Sequence, residues 1–284
     1  MDIFRIKSVE QTIRDAEEPE YRLRRTLSAV DLTVLGVGVI IGTGIFVLTG
    51  QVARDIAGPA VAVSFIVAAV VCGLAALCYA EFAATVPVAG SAYAFSYATI
   101  GEFPAWIIGW DLILELALGA ATVAVGWSGY FASLLGALGV DLPAALAGAD
   151  PVVNVPAVAL VLLLTAVLVA GIRLSARVNL AVVVIKLAVV LLVIGAGVFF
   201  VDAANYTPFI PPARETAEVA GLQAPLIQVV FGITPVAFGV LGIFAAAAIV
   251  FFAYIGFDVV ATAAEETRRP QRDLPVGIIA SLAI

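Results

Sequence analysis

The chain has 284 residues, 63% of them hydrophobic and only 12% charged, with a mean hydropathy of +1.14 and a net charge of -7. Soluble domains carry roughly 25% charged residues, so a water-soluble fold is close to excluded and the bilayer is the solvent for most of this protein. Histidine is absent, which removes a His-based triad or zinc site, and the acidic balance removes a basic nucleic-acid surface.

From the N-terminus, residues 1–28 are polar and charged and read as a solvent-exposed cytoplasmic tail, not a signal peptide, because the apolar run from about Ala29 is too long for a cleaved segment. Apolar runs then predict spanning helices at 29–53, 58–85, 103–138, 154–172, 176–201 and 238–264, with the start of another at about 276. Each completed run can cross a hydrocarbon core of about 30 Å. The run at 103–138 exceeds one crossing, so it is either tilted or begins in the interface at Glu102 to Trp106. Before it, Pro87 to Gly101 is rich in Gly, Ser and Tyr and reads as a short helix at membrane depth. Cys72 and Cys78 read as small buried hydrophobes. The last run holds about nine apolar residues from Val276, a rise of about 14 Å, and is expected to be a truncated span. This divides the chain into the tail, a first five-helix section (29–201), an extracellular connection (202–237) and a final section (238–284).

Orientation follows from the cations. With the N-terminus inside, Arg5, Lys7, Arg14, Arg22, Arg24, Arg25, Arg173, Arg177, Arg268, Arg269 and Arg272 fall on the cytoplasmic side, while Arg54 and Arg214 fall outside. That asymmetry predicts a multi-pass protein with a cytoplasmic N-terminus.

The first span carries Gly36, Gly38, Gly42 and Gly44 within nine residues at mid-membrane. Glycine costs about 1 kcal/mol in a helix interior, so the cluster needs a reason. Close packing through a Gly38/Gly42 GxxxG face is one. The other is an interrupted helix, in which Gly42-Thr43-Gly44 leaves backbone groups free to bind a zwitterion beside a cavity. The sixth span offers a partner in Phe251-Phe252-Ala253-Tyr254-Ile255-Gly256-Phe257-Asp258, where aromatics run into a glycine and an intramembrane carboxylate. Such aromatics are commonly packing, but a charge at that depth costs at least about 2.5 kcal/mol and marks a pathway.

Lys186 lies about 16 Å along a helix from the cytoplasmic Ser175, too deep to snorkel. A lysine there suits the binding and release of a proton during transport; the alternative is a static ion pair with Glu115 of the third span. After the sixth span, Glu265-Glu266-Thr267-Arg268-Arg269-Pro270-Gln271-Arg272 is either a topological connection or a latch between packed helices.

Four stretches together resemble the amino acid-polyamine-organocation superfamily, and within it the cationic amino acid transporters: Gly36 to Phe46, Tyr79 to Phe82 with Pro87 to Tyr93, the Lys186 region, and Phe251 to Pro275. The resemblance implies an all-α fold of two five-helix inverted repeats with helices one and six broken, of which six helices and the start of a seventh lie in this chain. It implies that Ile40, Gly42, Thr43, Gly44 and Ile45 meet a substrate's backbone groups from the first helix, and Phe252, Ala253 and Ile255 from the sixth, with Phe252 as a gate. It also implies Lys186 in the place of a sodium ion in proton-coupled members and Asp258 as a proton carrier; Glu115, the carboxylate of the third span, is counted with them in proton coupling from its own position and charge.

The function expected is secondary active transport of amino acids across the plasma membrane by alternating access, as proton symport, with the amino acid and protons as partners. No enzyme activity, cofactor or metal is expected. A non-transporting membrane subunit or inactive fragment is the alternative.

Overall fold

The computed structural model describes residues 5–16, 23–42, 44–140, 142–147, 153–170, 172–215 and 236–284. Among the described residues its regular elements are helical apart from one two-residue antiparallel pairing, Arg214–Glu215 with Val236–Ala237, and an isolated bridge between Leu27 and Thr267. A short surface helix, α1 (Val9–Ala16), precedes the apolar elements. The first of these, α2 (Ala29–Ile40), starts at a capping box in which Ser28 Oγ accepts from the Asp31 amide while Asp31 Oδ2 accepts from the Ser28 amide. Such a box satisfies two amide donors that a helix start otherwise leaves open.

Helical structure from Ala29 runs to Thr85, 57 residues, far more than the roughly 20 that one crossing needs. The sequence resolves this as two spans, and the backbone shows where they part. After α2 the chain bends at Ile41 and Gly42, then forms a π-helix (Gly44–Leu48), a helical turn (Thr49–Val52) and a second π-helix (Ala53–Ala57). Gly58, with φ +64°, ends this stretch before α3 (Val61–Thr85). In α3 Cys72 is buried as expected, but Cys78 is exposed, since six positions along a helix reach another face.

The remaining elements are α4 (Ser91–Thr99), α5 (Glu102–Ala137), α6 (Val155–Val169), α7 (Ile172–Gly197), α8 (Gly239–Val250) and α9 (Pro270–Ala283). The short helix expected in 87–101 is α4, and the long third run is one continuous helix of 36 residues. Among the described residues four helical runs are long and apolar enough to cross a membrane, at 29–85, 102–137, 178–200 and 239–266, and α6 is a shorter apolar helix. Asn154 caps α6 through the Ala157 amide, with Pro156 in the first turn. The sixth span is broken: α8 gives way to a 3-10 turn (Phe251–Tyr254), an irregular step, and a 3-10 stretch (Val259–Glu266).

The chain forms two compact units. In the first (1–43, 78–186 and 256–284), α2 and α9 pack closely along their lengths. A Cβ at Gly36 would lie 2.5 Å from Ser281 Cβ, and one at Gly277 would lie 2.7 Å from Leu32 Cβ, so both helices need small residues there. Close backbone approach through small residues is how apolar helices associate in lipid, where burying leucine gains little. Leu32, Leu274 and Ile278 fill this seam, each at 0% exposure. A second contact joins α5 to α6 through Asn154 Nδ2 donating to Ser128 Oγ at 2.7 Å.

In this unit the N-terminal residues are tied down instead of hanging free. The amides of Thr26 and Leu27 donate to the Glu266 carbonyl, the Arg268 amide donates to the Leu27 carbonyl, and Arg268 Nε donates to the Thr26 carbonyl at 2.9 Å. Arg5 pairs with Glu102 and donates to the Tyr97 hydroxyl. Among its described residues, the tail expected to be solvent-exposed has exposed and half-buried side chains and is anchored through the backbone at residues 26–27 and through the Arg5 side chain.

The second unit (44–77 and 187–255) has its own core of Val52, Ala57, Ala68, Ala246 and Val250, packed against by Phe65 and Tyr254. Gly242 lets α8 approach the Ile56 carbonyl, where a Cβ would come within 2.6 Å.

Candidate functional site

In the first unit the site begins where α2 stops. Ile41 takes extended ψ and its amide still reaches the Val37 carbonyl at 3.0 Å, but the helix goes no further. An α-helix end leaves its last carbonyls without donor partners, and in a membrane each such group is costly. Lys186 of α7 supplies two of the missing donors: its Nζ donates to the Gly38 carbonyl at 2.6 Å and the Ile41 carbonyl at 2.7 Å. The half-buried lysine thus caps a broken helix. Among the described residues no ion pair links Lys186 to Glu115, so the static-pair alternative does not describe this structure.

The two glycines of the supposed GxxxG face behave differently. A Cβ at Gly38 would lie 2.9 Å from Asn179 Oδ1 and 3.0 Å from Val183, so this glycine packs against α7. At Gly42 a Cβ would meet, among the described residues, only the Val39 carbonyl, at 3.7 Å. Close packing explains Gly38 and does not explain Gly42. Ile40 is half-buried, and Thr43 lies outside the described residues.

The break in the sixth span is built around Gly256, at φ +132°, a conformation that favours glycine. A Cβ there would lie 2.7 Å from Val39 Cγ1 and 3.1 Å from the Ile40 amide nitrogen, so the two interruptions meet in this unit at Val39, Ile40 and Gly256. Asp258, 8% exposed, accepts from the Gly256 amide through Oδ1 at 3.1 Å and from Ser91 Oγ through its carbonyl at 3.1 Å. Its carboxylate therefore braces the irregular step. Tyr79 of α3 reaches this step through Phe257, the residue before Asp258, with ring centroids 5.6 Å apart. Tyr79 also packs edge-on to Phe95. Neither Tyr79 nor Ser91 stood out as a site residue in the sequence, although both lie in motifs that carry the family resemblance.

In the second unit, Gly44 opens the π-helix and is buried against Ala253; a Cβ on Gly44 would overlap Ala253 Cα and Cβ. The Gly44 carbonyl is held by Thr49 Oγ1 at 3.2 Å. Ile45 is exposed, while Phe252 and Ile255 are half-buried. Tyr254 donates its hydroxyl to the Phe65 carbonyl at 3.0 Å, anchoring the aromatic turn.

Comparisons with known proteins agree with this architecture. A family model described as amino acid permease matches residues 27–284. Over 289 aligned positions the chain is 49% identical to a branched-chain amino acid permease of Bacillus subtilis, covering 99% of this chain and 56% of that protein. It is 45% identical to a methylthioribose transporter of the same organism, again over 99% of this chain and 56% of that protein. It is 43% identical to a vacuolar cationic amino acid transporter of Arabidopsis thaliana, over 91% and 38% respectively. The chain spans about half the length of the curated relatives it matches. With its broken first and sixth spans and a match over nearly its whole length, this chain belongs to the amino acid permease family of the amino acid-polyamine-organocation superfamily.

Proposed function

We propose that this protein is a secondary active transporter of amino acids, working by alternating access in the plasma membrane with its N-terminus cytoplasmic and coupling uptake to protons. The observation that carries the reading is Lys186 on the carbonyls of Gly38 and Ile41. As an ammonium it makes two charge-assisted hydrogen bonds there; as a neutral amine it makes weaker ones, so its protonation sets how firmly the end of α2 is held. A proton taken up on one side and lost on the other would then alternately fix and loosen the first helix break. The inverted repeat of this architecture supplies the second half of the cycle.

Substrate contact is assigned to Ile40, Gly42, Thr43, Gly44, Ile45, Phe252, Ala253 and Ile255. The space beside Gly42 supports this, because no packing contact among the described residues requires a glycine there. Phe252 is assigned the gate, and Glu115 and Asp258 the acidic side of the proton path. Relatives named for branched-chain and cationic amino acids, and for methylthioribose, set the panel of solutes to test.

The experiment is uptake of that radiolabelled panel into proteoliposomes, with the protein expressed from its complete reading frame and an inward proton gradient on or off. Gradient-driven uptake of an amino acid supports the reading. Lys186→Ala is expected to insert normally and lose the gradient dependence; normal gradient-driven uptake in that variant removes the coupling role.

A further inference from the structure

Beyond its break, the sixth span continues in the first unit as an eight-residue 3-10 stretch, Val259–Glu266. Such runs rarely exceed three or four residues, because their hydrogen bonds are poorer than those of an α-helix. The local sequence favours the α form, since Ala261, Ala263, Ala264, Glu265 and Glu266 are all strong α-formers. The stretch thus keeps a conformation against its own propensity, and its surroundings in this unit hold it there.

Residues 89–91, at the entry to α4, clasp the stretch near both ends. Ser91 Oγ donates to the Asp258 carbonyl at 3.1 Å, and the Ala89 amide donates to Glu265 Oε1 at 3.1 Å. The Asp258 carbonyl also accepts from the Ala261 amide, three residues on, at 3.0 Å. Ser91 is fully buried and sits at φ +49°, a region that residues bearing a side chain rarely adopt. At the far end the Glu266 carbonyl accepts from the Thr26 and Leu27 amides. Burial follows the same geometry: Asp258, Ala261, Ala264 and Thr267 are all buried, at intervals of one 3-10 turn. In an α-helix these four positions would spread over about 180°.

We propose that residues 259–266 are a two-state segment, held in 3-10 form by the clasp of Ala89 and Ser91 and turning α-helical when the clasp lets go. At roughly 2.0 against 1.5 Å per residue, the change shortens the segment by about 4 Å. Val260 seats at its near end between Gly36 of α2 and Gly277 of α9, so the shortening is delivered to the far end, where Glu266 meets residues 26–27. On the alternating-access reading given above, on which this assignment rests, the two forms belong to opposite states of the cycle and link the helix break to the 26–27 joint.

The test is electron paramagnetic resonance in proteoliposomes, on the protein expressed from its complete reading frame with Cys78 replaced by serine. Nitroxide pairs at Val259→Cys with Thr262→Cys, and at Val259→Cys with Ala263→Cys, report the geometry. Residues three apart eclipse in a 3-10 helix, so the first pair is the closer; in an α-helix the two separations are similar. With the clasp intact the 3-10 pattern is expected. Ser91→Gly removes the hydroxyl and suits the positive φ, and Glu265→Ala removes the other acceptor. Together they are expected to shift the balance toward the α form about fivefold or more, as loss of two hydrogen bonds does. Glu265→Gln keeps an acceptor oxygen and is expected to leave the pattern unchanged. Similar separations with the clasp intact overturn the proposal, as does an unmoved balance in the double variant or an equal shift in Glu265→Gln. With no clasp variant at all, leucine or arginine under an inward proton gradient is expected to move the pattern toward the α form, with uptake followed in the same vesicles. Uptake with a fixed pattern overturns the proposal and leaves the transport reading standing. Absence of uptake removes the transport reading alone, and the clasp is then decided by its variants.

Discussion

Replacing Lys186 by methionine keeps much of the side chain's length and apolar stem and removes both donors to the end of α2. Two bonds are lost, at 2.6 and 2.7 Å, and their acceptors are the Gly38 and Ile41 carbonyls beside a helix break. Hydrogen bonds to charged groups contribute about 1.5–3 kcal/mol each, which sets an upper bound near 6 kcal/mol for the pair. Measured side-chain hydrogen bonds within membranes average about 0.6 kcal/mol, which sets a lower bound near 1 kcal/mol. At about 2–4 °C per kcal/mol for a chain of this size, even the lower bound corresponds to a fall of about 2 °C or more in melting temperature. Lys186→Arg keeps the charge and donors and is expected to lose less than Lys186→Met. The assay is thermal unfolding of the purified proteins in one detergent, followed by tryptophan fluorescence. If Lys186→Met melts with the unaltered protein, the lysine does not hold the helix break and the mechanical link from its protonation to the first helix fails.

Further outcomes follow from the glycines and the joint. Gly256→Ala puts a methyl group 2.7 Å from Val39 at φ +132°, and is expected to cost at least about 1–3 kcal/mol, read as a lower melting temperature; an unchanged one refutes the strained step. Gly44→Ala meets Ala253 and is expected to reduce the yield of folded protein in size-exclusion profiles, whereas Gly42→Ala, with 3.7 Å of clearance, is expected to fold normally and lose uptake. Normal uptake by Gly42→Ala counts against substrate contact at its backbone. Arg268→Ala removes the bond to the Thr26 carbonyl and is expected to cost about 0.5–1.5 kcal/mol, with faster hydrogen exchange at Leu27; unchanged exchange shows that the guanidinium adds nothing to the joint.

Membrane spans were legible in the sequence because hydropathy is local: twenty apolar residues announce themselves wherever they lie. The interruptions were legible for the same reason, since Gly42 and Gly256 stand out against helix-forming neighbours. What Lys186 touches was not legible. Its acceptors are carbonyls, which every residue owns, so no residue type marks Gly38 or Ile41 as partners, and Glu115 drew attention only because it carries the opposite charge. The anchoring of residues 26–27 was hidden likewise, because backbone pairing leaves no compositional trace. The different fates of Gly38 and Gly42 depend on what α7 places beside each, and spacing along one helix does not contain that information.

The pairing of Thr26 and Leu27 with Glu266 and Arg268 has a bearing on biogenesis. Its members lie up to 242 positions apart, so the N-terminal half of the joint leaves the ribosome long before its partner exists. At about 5–20 residues per second the interval is about 12–48 s, longer than elementary helix formation by many orders of magnitude. Throughout it the amides of Thr26 and Leu27 have only water or other molecules to bond, and this joint closes only after the sixth span has been made.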